Sequence, residues 1–288
     1  MFTRLSSALK NWGASEGKPF LGTQALGIPV VALVFLTIRS QLTQKATILN
    51  LFNETYIPDW DWIVACLILI VYASDFIWDA ITWDRAGVDF KSWQGTLAIA
   101  WILLGSFVVL GLTMVFPLLG FGTRDLNGLK ELLWSLRYLI FGGILYCYVK
   151  WRSGLLLAYF GPVLIAFVFA SAVFGGLPSS GSLMFWIQGF CVFLLNILLM
   201  QYFEKDKDIV LKLPNLWLMR GAHKLPVVAL LLVVSITIGV AINDFNGDKL
   251  GVVLLMALYG FMYFYPTVFR YGRWYRILID IALVLWLL

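Results

Sequence analysis

Two short acidic clusters interrupt an otherwise apolar chain: Asp75-Phe-Ile-Trp-Asp79 and Glu204-Lys-Asp206-Lys-Asp208. In each, two acids stand four residues apart. On a helix that spacing puts both carboxylates on one face, about 6 Å apart along the axis. Each cluster closes an apolar run long enough to cross a bilayer, where a charge at the helix centre costs roughly 2.5 to 3.5 kcal/mol and usually marks function. Together Asp75, Asp79, Glu204 and Asp208 would bring up to four negative charges to one level. Such charges raise one another's pKa unless cations neutralise them. Hard oxygen donors without histidine suit Mg²⁺, which takes one or two carboxylates and completes its shell with water and phosphate oxygens. The bland alternative is a pair of solvated helix ends. Against it, seven of the sixteen acids (75, 79, 84, 89, 204, 206, 208) occupy these two regions.

The cations near the clusters are Arg85, Lys91, Lys150, Arg152, Lys205, Lys207, Lys212 and Arg220. Arg and Lys are the usual partners of a phosphate oxyanion, and Arg85, Lys91 and Lys212 lead that set, with Lys150 and Arg220 behind. Tyr72, Trp78 and Trp83 could present π faces to a cation near the first cluster, although most of the aromatics must be packing or lipid-interface anchors. Asn196 lies about 12 Å deeper than Glu204 along the sixth apolar run and 80° around it. It either lines a cavity below the metals or bonds a neighbouring helix. Arg137 and Asp280, inside apolar runs, either pair or find backbone partners. His223 has no second histidine with which to build a metal site.

These residues need a frame. With 61% hydrophobic and 13% charged residues in 288, and a mean hydropathy of +0.88, the chain departs from the soluble average of about 25% charged. Runs of the length that crosses about 30 Å of hydrocarbon fall near 24–41, 60–80, 94–116, 132–149, 154–175, 182–203, 225–242, 249–266 and 274–288. They predict an all-α polytopic membrane protein with nine transmembrane helices and a single domain over 1–288. Lys and Arg collect on one side of this arrangement, which predicts a cytoplasmic N-terminus, an external C-terminus and both acidic clusters at the cytoplasmic level. Arg273 and Arg276 fall among those cytoplasmic charges.

The net charge of +5 and pI near 9.1 are explained by this topology and by anionic lipid, so nucleic acid is not an expected partner. Cys66, Cys147 and Cys191 show no CxxC spacing and read as small buried hydrophobes. Residues 1–23 are mixed polar, with no cleavable signal pattern. Phe2, Leu5, Leu9 and Trp12 recur at helical spacing there, so the segment either lies on the membrane surface or frays. The connections after the clusters, 81–93 and 204–224, are the longest on the cytoplasmic side, a property more typical of lids than of spacers. Because the clusters fall on the second and sixth spans, four apart, spans two to five and six to nine could form parallel repeats around one site.

The arrangement resembles the UbiA superfamily of intramembrane prenyltransferases, which carry two aspartate-rich motifs on helices two and six of a nine-helix bundle around a central cavity. Residues 202–221, Tyr-Phe-Glu-Lys-Asp-Lys-Asp-Ile-Val-Leu-Lys-Leu-Pro-Asn-Leu-Trp-Leu-Met-Arg-Gly, look like the family's DxxxD motif and following loop, with Glu204 for the first Asp. The first motif, usually NxxxDxxxD, is Asp75-xxx-Asp79 here, with Trp83 at the third polar place and Asp84 one position late. The Arg-Pro common in the family's loop is missing, while Arg85 and Lys91 remain.

The resemblance implies that an allylic prenyl diphosphate binds through Mg²⁺ held by Asp75, Asp79, Glu204 and Asp208, with the basic residues neutralising the diphosphate. It implies transfer of the prenyl group to a hydrophobic acceptor, or alternatively terpene cyclisation of the prenyl chain itself. A reading from another class is a cation-coupled transporter, although such proteins usually hold their coupling acids near the midplane on broken helices.

Overall fold

A computed structural model describes residues 30–40, 61, 64–70, 101, 104–105, 108, 154–174, 183–211, 215–218, 225–243, 249–270 and 274–287. The described residues are helical almost throughout and include no strand, in line with the all-α expectation. They comprise α1 (Val30–Ser40), α2 (64–70), α3 (Gly154–Phe174), α4 (Leu183–Leu211), α5 (Leu225–Asn243), α6 (Lys249–Phe264), α7 (Pro266–Arg270) and α8 (Trp274–Ala282). Two 3-10 segments, Leu216–Leu218 and Leu283–Leu287, complete them.

The later apolar runs coincide with α3 to α6 to within a few residues, and the departures have physical causes. The run near 249–266 stops as a helix at Phe264 because Tyr265 precedes a proline, a position that disfavours helical backbone. Pro266 then opens α7, a place where its missing N–H costs nothing. The last run changes from α-helix to 3-10 at Leu283. The sixth run continues as one helix past its apolar stretch to Leu211, because Glu, Lys and Leu at its end are good helix formers.

Among the described residues one helix is long and apolar enough to cross a membrane, Leu183–Asp206, and shorter apolar helices occur at Val30–Ser40, Phe160–Phe174, Pro226–Gly239 and Leu250–Phe264.

The long helix α4 is the centre of the described bundle, packing against α3, α5, α8 and both 3-10 segments. Its neighbours fix the direction of each helix. At one end, Phe174 of α3 and Phe185 of α4 meet Trp286 with ring centroids 5.5 to 6.1 Å apart. There Gly189 is needed, because a Cβ would come within 2.6 Å of the Phe174 ring and 2.7 Å of Trp286. At the same end Arg39 of α1 pairs with Asp61 at 2.9 Å and donates to the Val173 carbonyl at 2.6 Å. At the opposite end Tyr202 of α4 packs on Tyr263 of α6, and Phe203 stacks on Tyr275 of α8 at 4.8 Å. Thus α3 and α8 run antiparallel to α4, and α6 runs parallel to it. Cys66 and Cys191 are buried free thiols, as expected of small hydrophobes. Cys147 lies outside the described residues.

Candidate functional site

The second acidic cluster sits on the final turns of α4, and because the helix is unbroken to Leu211, Glu204 and Asp208 share a face one turn apart. Asp206 is set about 160° from Asp208 on the same helix.

Asp208 is buried, and its Oδ2 accepts a hydrogen bond of 2.6 Å from Asn215 Nδ2. Asn215, in the segment that follows the helix, also donates to the Gln201 carbonyl at 2.9 Å and accepts from the Trp217 N–H at 2.8 Å. That last bond is an Asx turn, the local geometry for which asparagine is favoured. The Trp217 indole N–H donates to the Leu198 carbonyl at 3.0 Å, and its ring lies 5.1 Å from Tyr202. The segment is therefore pinned back along α4, and Asn215 holds the Asp208 carboxylate in a fixed orientation. A carboxylate offers about four lone-pair directions, of which the bond from Asn215 uses one.

The Glu204 carboxylate is taken up by α8, where Arg276 Nη2 donates to its Oε1. Lys205 stands with Nζ 4.6 Å above the Tyr202 ring. Deeper in the bundle, Asn196 bonds neighbouring helices. Its amide donates to the Tyr259 hydroxyl at 3.3 Å and to the Ile279 carbonyl at 3.1 Å, and Tyr259 donates to the same carbonyl at 3.1 Å. Carbonyls near a change of helix type are those a helix leaves for outside donors. Asn196 also lines a cavity of about 30 Å³ with Asp280, whose carboxyl lies beside it. The remaining wall is apolar and includes Phe35, Phe169 and Phe193. This volume holds about two water molecules.

Of the residues singled out by sequence, Glu204, Asp208 and Asn196 are therefore placed on α4. Asp75, Asp79, Arg85, Lys91, Lys150, Lys212, Arg220, Tyr72, Trp78 and Trp83 lie outside the described residues, as do Asp84, Arg137 and His223. No group of three or more potential metal ligands occurs among the described residues. Two residues were not anticipated at the site. Asn215 follows Pro214, a turn signal that points to a loop without pointing to a carboxylate. Arg276, classed by sequence as one more cytoplasmic charge, comes to Glu204 from 72 residues away, and no local spacing announces that. Comparison with family models, curated proteins and solved structures finds no match for this chain.

Proposed function

We propose that the protein is an integral membrane enzyme that ionises an allylic prenyl diphosphate with Mg²⁺ and transfers the prenyl group to a hydrophobic acceptor. On this reading it has nine spans, a cytoplasmic N-terminus and its site at the cytoplasmic level. The observation that carries the reading is the end of α4. A bilayer-length apolar helix continues without a break into a turn bearing Glu204 and Asp208 on one face, and a buried asparagine orients the Asp208 carboxylate. An orienting hydrogen bond behind a carboxylate is the usual support of a metal ligand, so these donors fit Mg²⁺. The membrane setting is supported by large apolar side chains on the outside of the helices, such as Leu231, Leu232 and Ile236 on α5 and Val253 and Phe264 on α6. A contiguous apolar surface is unusual for a soluble monomer, and side chains so exposed on two packed helices are what a lipid-facing surface requires.

On this reading Asp75 and Asp79, by their spacing, would supply the second pair of ligands. Bound Mg²⁺ would act as a Lewis acid on the leaving diphosphate. Asn215 keeps Asp208 aimed, and Trp217 holds the segment against α4 through the Leu198 carbonyl and the Tyr202 ring. The cationic residues of the two connections neutralise charge as the C–O bond breaks. A tail of several isoprene units needs more room than the water-sized cavity at Asn196 has, so it would lie along the apolar helix faces.

The test is diphosphate release by purified protein from farnesyl or geranylgeranyl diphosphate. With Mg²⁺ alone, release should be slow, because a transferase waits for its second substrate, and membrane lipid extract should accelerate it. Fast acceptor-free turnover to a cyclic product would replace transfer by cyclisation at the same site. Absence of any Mg²⁺-dependent release would remove the enzymatic reading and leave cation-coupled transport.

A further inference from the structure

Arg276 lies in the first turn of α8, and its guanidinium reaches across to the last turns of α4 to pair with Glu204. The two side chains are only 22% and 16% exposed, so this is not one of the solvated surface pairs that contribute little. The arrangement creates a conflict at Glu204, because the carboxylate that is to ligate Mg²⁺ already has a cation on it. A guanidinium and a divalent ion held on one carboxylate repel each other, and the divalent ion is the stronger claimant.

The displaced guanidinium does not need to leave the site. Arg stays charged at any accessible pH, and its planar fork matches two oxygens of a phosphate as well as it matches a carboxylate. The geometry points to Arg276 as an exchanging ligand of the site: it balances Glu204 while metal is absent, and it binds the substrate's diphosphate once Mg²⁺ has taken the carboxylate. One ion pair is traded for two, Mg²⁺ with carboxylate and guanidinium with phosphate, and no covalent bond changes. The inference rests on the metal and diphosphate reading above, and adds to it a residue from the C-terminal helix. It also accounts for a cation being held at the acidic turn of α4, whose carboxylates would repel one another without metal.

The exchange predicts effects of opposite sign, which a merely structural arginine would not give. Calorimetry on the full chain in lipid nanodiscs would measure binding of Mg²⁺ alone, and of inorganic diphosphate at saturating Mg²⁺. In Arg276→Gln, Mg²⁺ alone should bind about tenfold more tightly, since its competitor is gone. Diphosphate should bind at least about tenfold more weakly, the worth of one charge-assisted hydrogen bond. Arg276→Lys keeps the charge without the fork, so it should leave Mg²⁺ affinity near wild type and weaken diphosphate severalfold. This second variant decides the matter if the glutamine variant does not fold. Unchanged or weaker Mg²⁺ binding in Arg276→Gln, or unchanged diphosphate binding in both variants, would overturn the exchange. Absence of Mg²⁺-dependent diphosphate binding in the wild type would overturn the parent reading along with it. Intact wild-type binding beside an unresponsive Arg276 would overturn this inference alone.

Discussion

Asn215→Ala tests how the segment after α4 holds the site. The side chain is 2% exposed and makes three hydrogen bonds, to Asp208 at 2.6 Å, to the Gln201 carbonyl at 2.9 Å and from the Trp217 N–H at 2.8 Å. A neutral hydrogen bond contributes about 1 kcal/mol net and one to a charged group about 1.5 to 3 kcal/mol. Losing all three, with the buried Asp208 carboxylate left short of a donor, should cost on the order of 3.5 to 5 kcal/mol. The loss would be read by equilibrium unfolding in mixed micelles. In the same variant Mg²⁺ affinity should fall about 10 to 100-fold, the usual effect of removing a group that orients a metal ligand. Added Mg²⁺ should restore part of the lost stability, because it supplies Asp208 with the partner that alanine removed. A stability change under about 1 kcal/mol, together with unaltered Mg²⁺ affinity, would refute the claim that Asn215 fixes Asp208.

Two further outcomes follow from the packing and the helix directions. Gly189→Ala should lower stability by about 1 to 3 kcal/mol through overpacking, outweighing the roughly 1 kcal/mol that alanine gains in helix propensity, because its Cβ would meet the rings of both Phe174 and Trp286 below 3.0 Å; an unchanged melting temperature would contradict the tight aromatic contact. Single cysteines at positions 87 and 209 should label from the cytoplasmic side, and cysteines at 125 and 247 from the other; labelling of 87 and 209 from opposite faces would separate the two acidic clusters and end the shared site.

The helices were legible in the sequence where an apolar run ends in charge. Lys249 opens α6, and Lys224 stands just before α5, so these starts could be read directly. Hydropathy marks where lipid would end, however, and helical backbone can continue beyond it. That is why α4 carries on through Glu204 and Asp208 to Leu211 while its apolar run stops near residue 203. The break at Tyr265 was also written in the chain, in Pro266, but the apolar run extends over it and hides it. The change to 3-10 at Leu283 has no such local sign. At the site, the spacing of Glu204 and Asp208 was enough to put them on one face. It could not say which partner each would meet, since Arg276 is chosen by the packing of α8 on α4 and Asn215 by the path of the chain after the helix.

Helices that are apolar on every side have little to fix how far one slides along another, since dispersion contacts between such surfaces are nearly as good after a shift. The described polar ties supply that register, and they differ in kind along the bundle. At one end Arg39 joins α1 to Asp61 and to the Val173 carbonyl of α3. In the middle, Asn196 and Tyr259 join α4 and α6 to the Ile279 carbonyl of α8 through neutral bonds. At the other end, two of the three acids of α4 are held through side chains, Glu204 by Arg276 and Asp208 by Asn215. Ties to backbone carbonyls are permanent fixtures, because a main-chain acceptor cannot turn away. A side-chain cation on a carboxylate can be exchanged for another cation without disturbing the helices that carry it. The middle tie can therefore keep α4 and α8 in register, and on the proposed reading it would do so while the acidic end changes partners, the condition a site must meet if it is to admit a metal and a diphosphate and then release them.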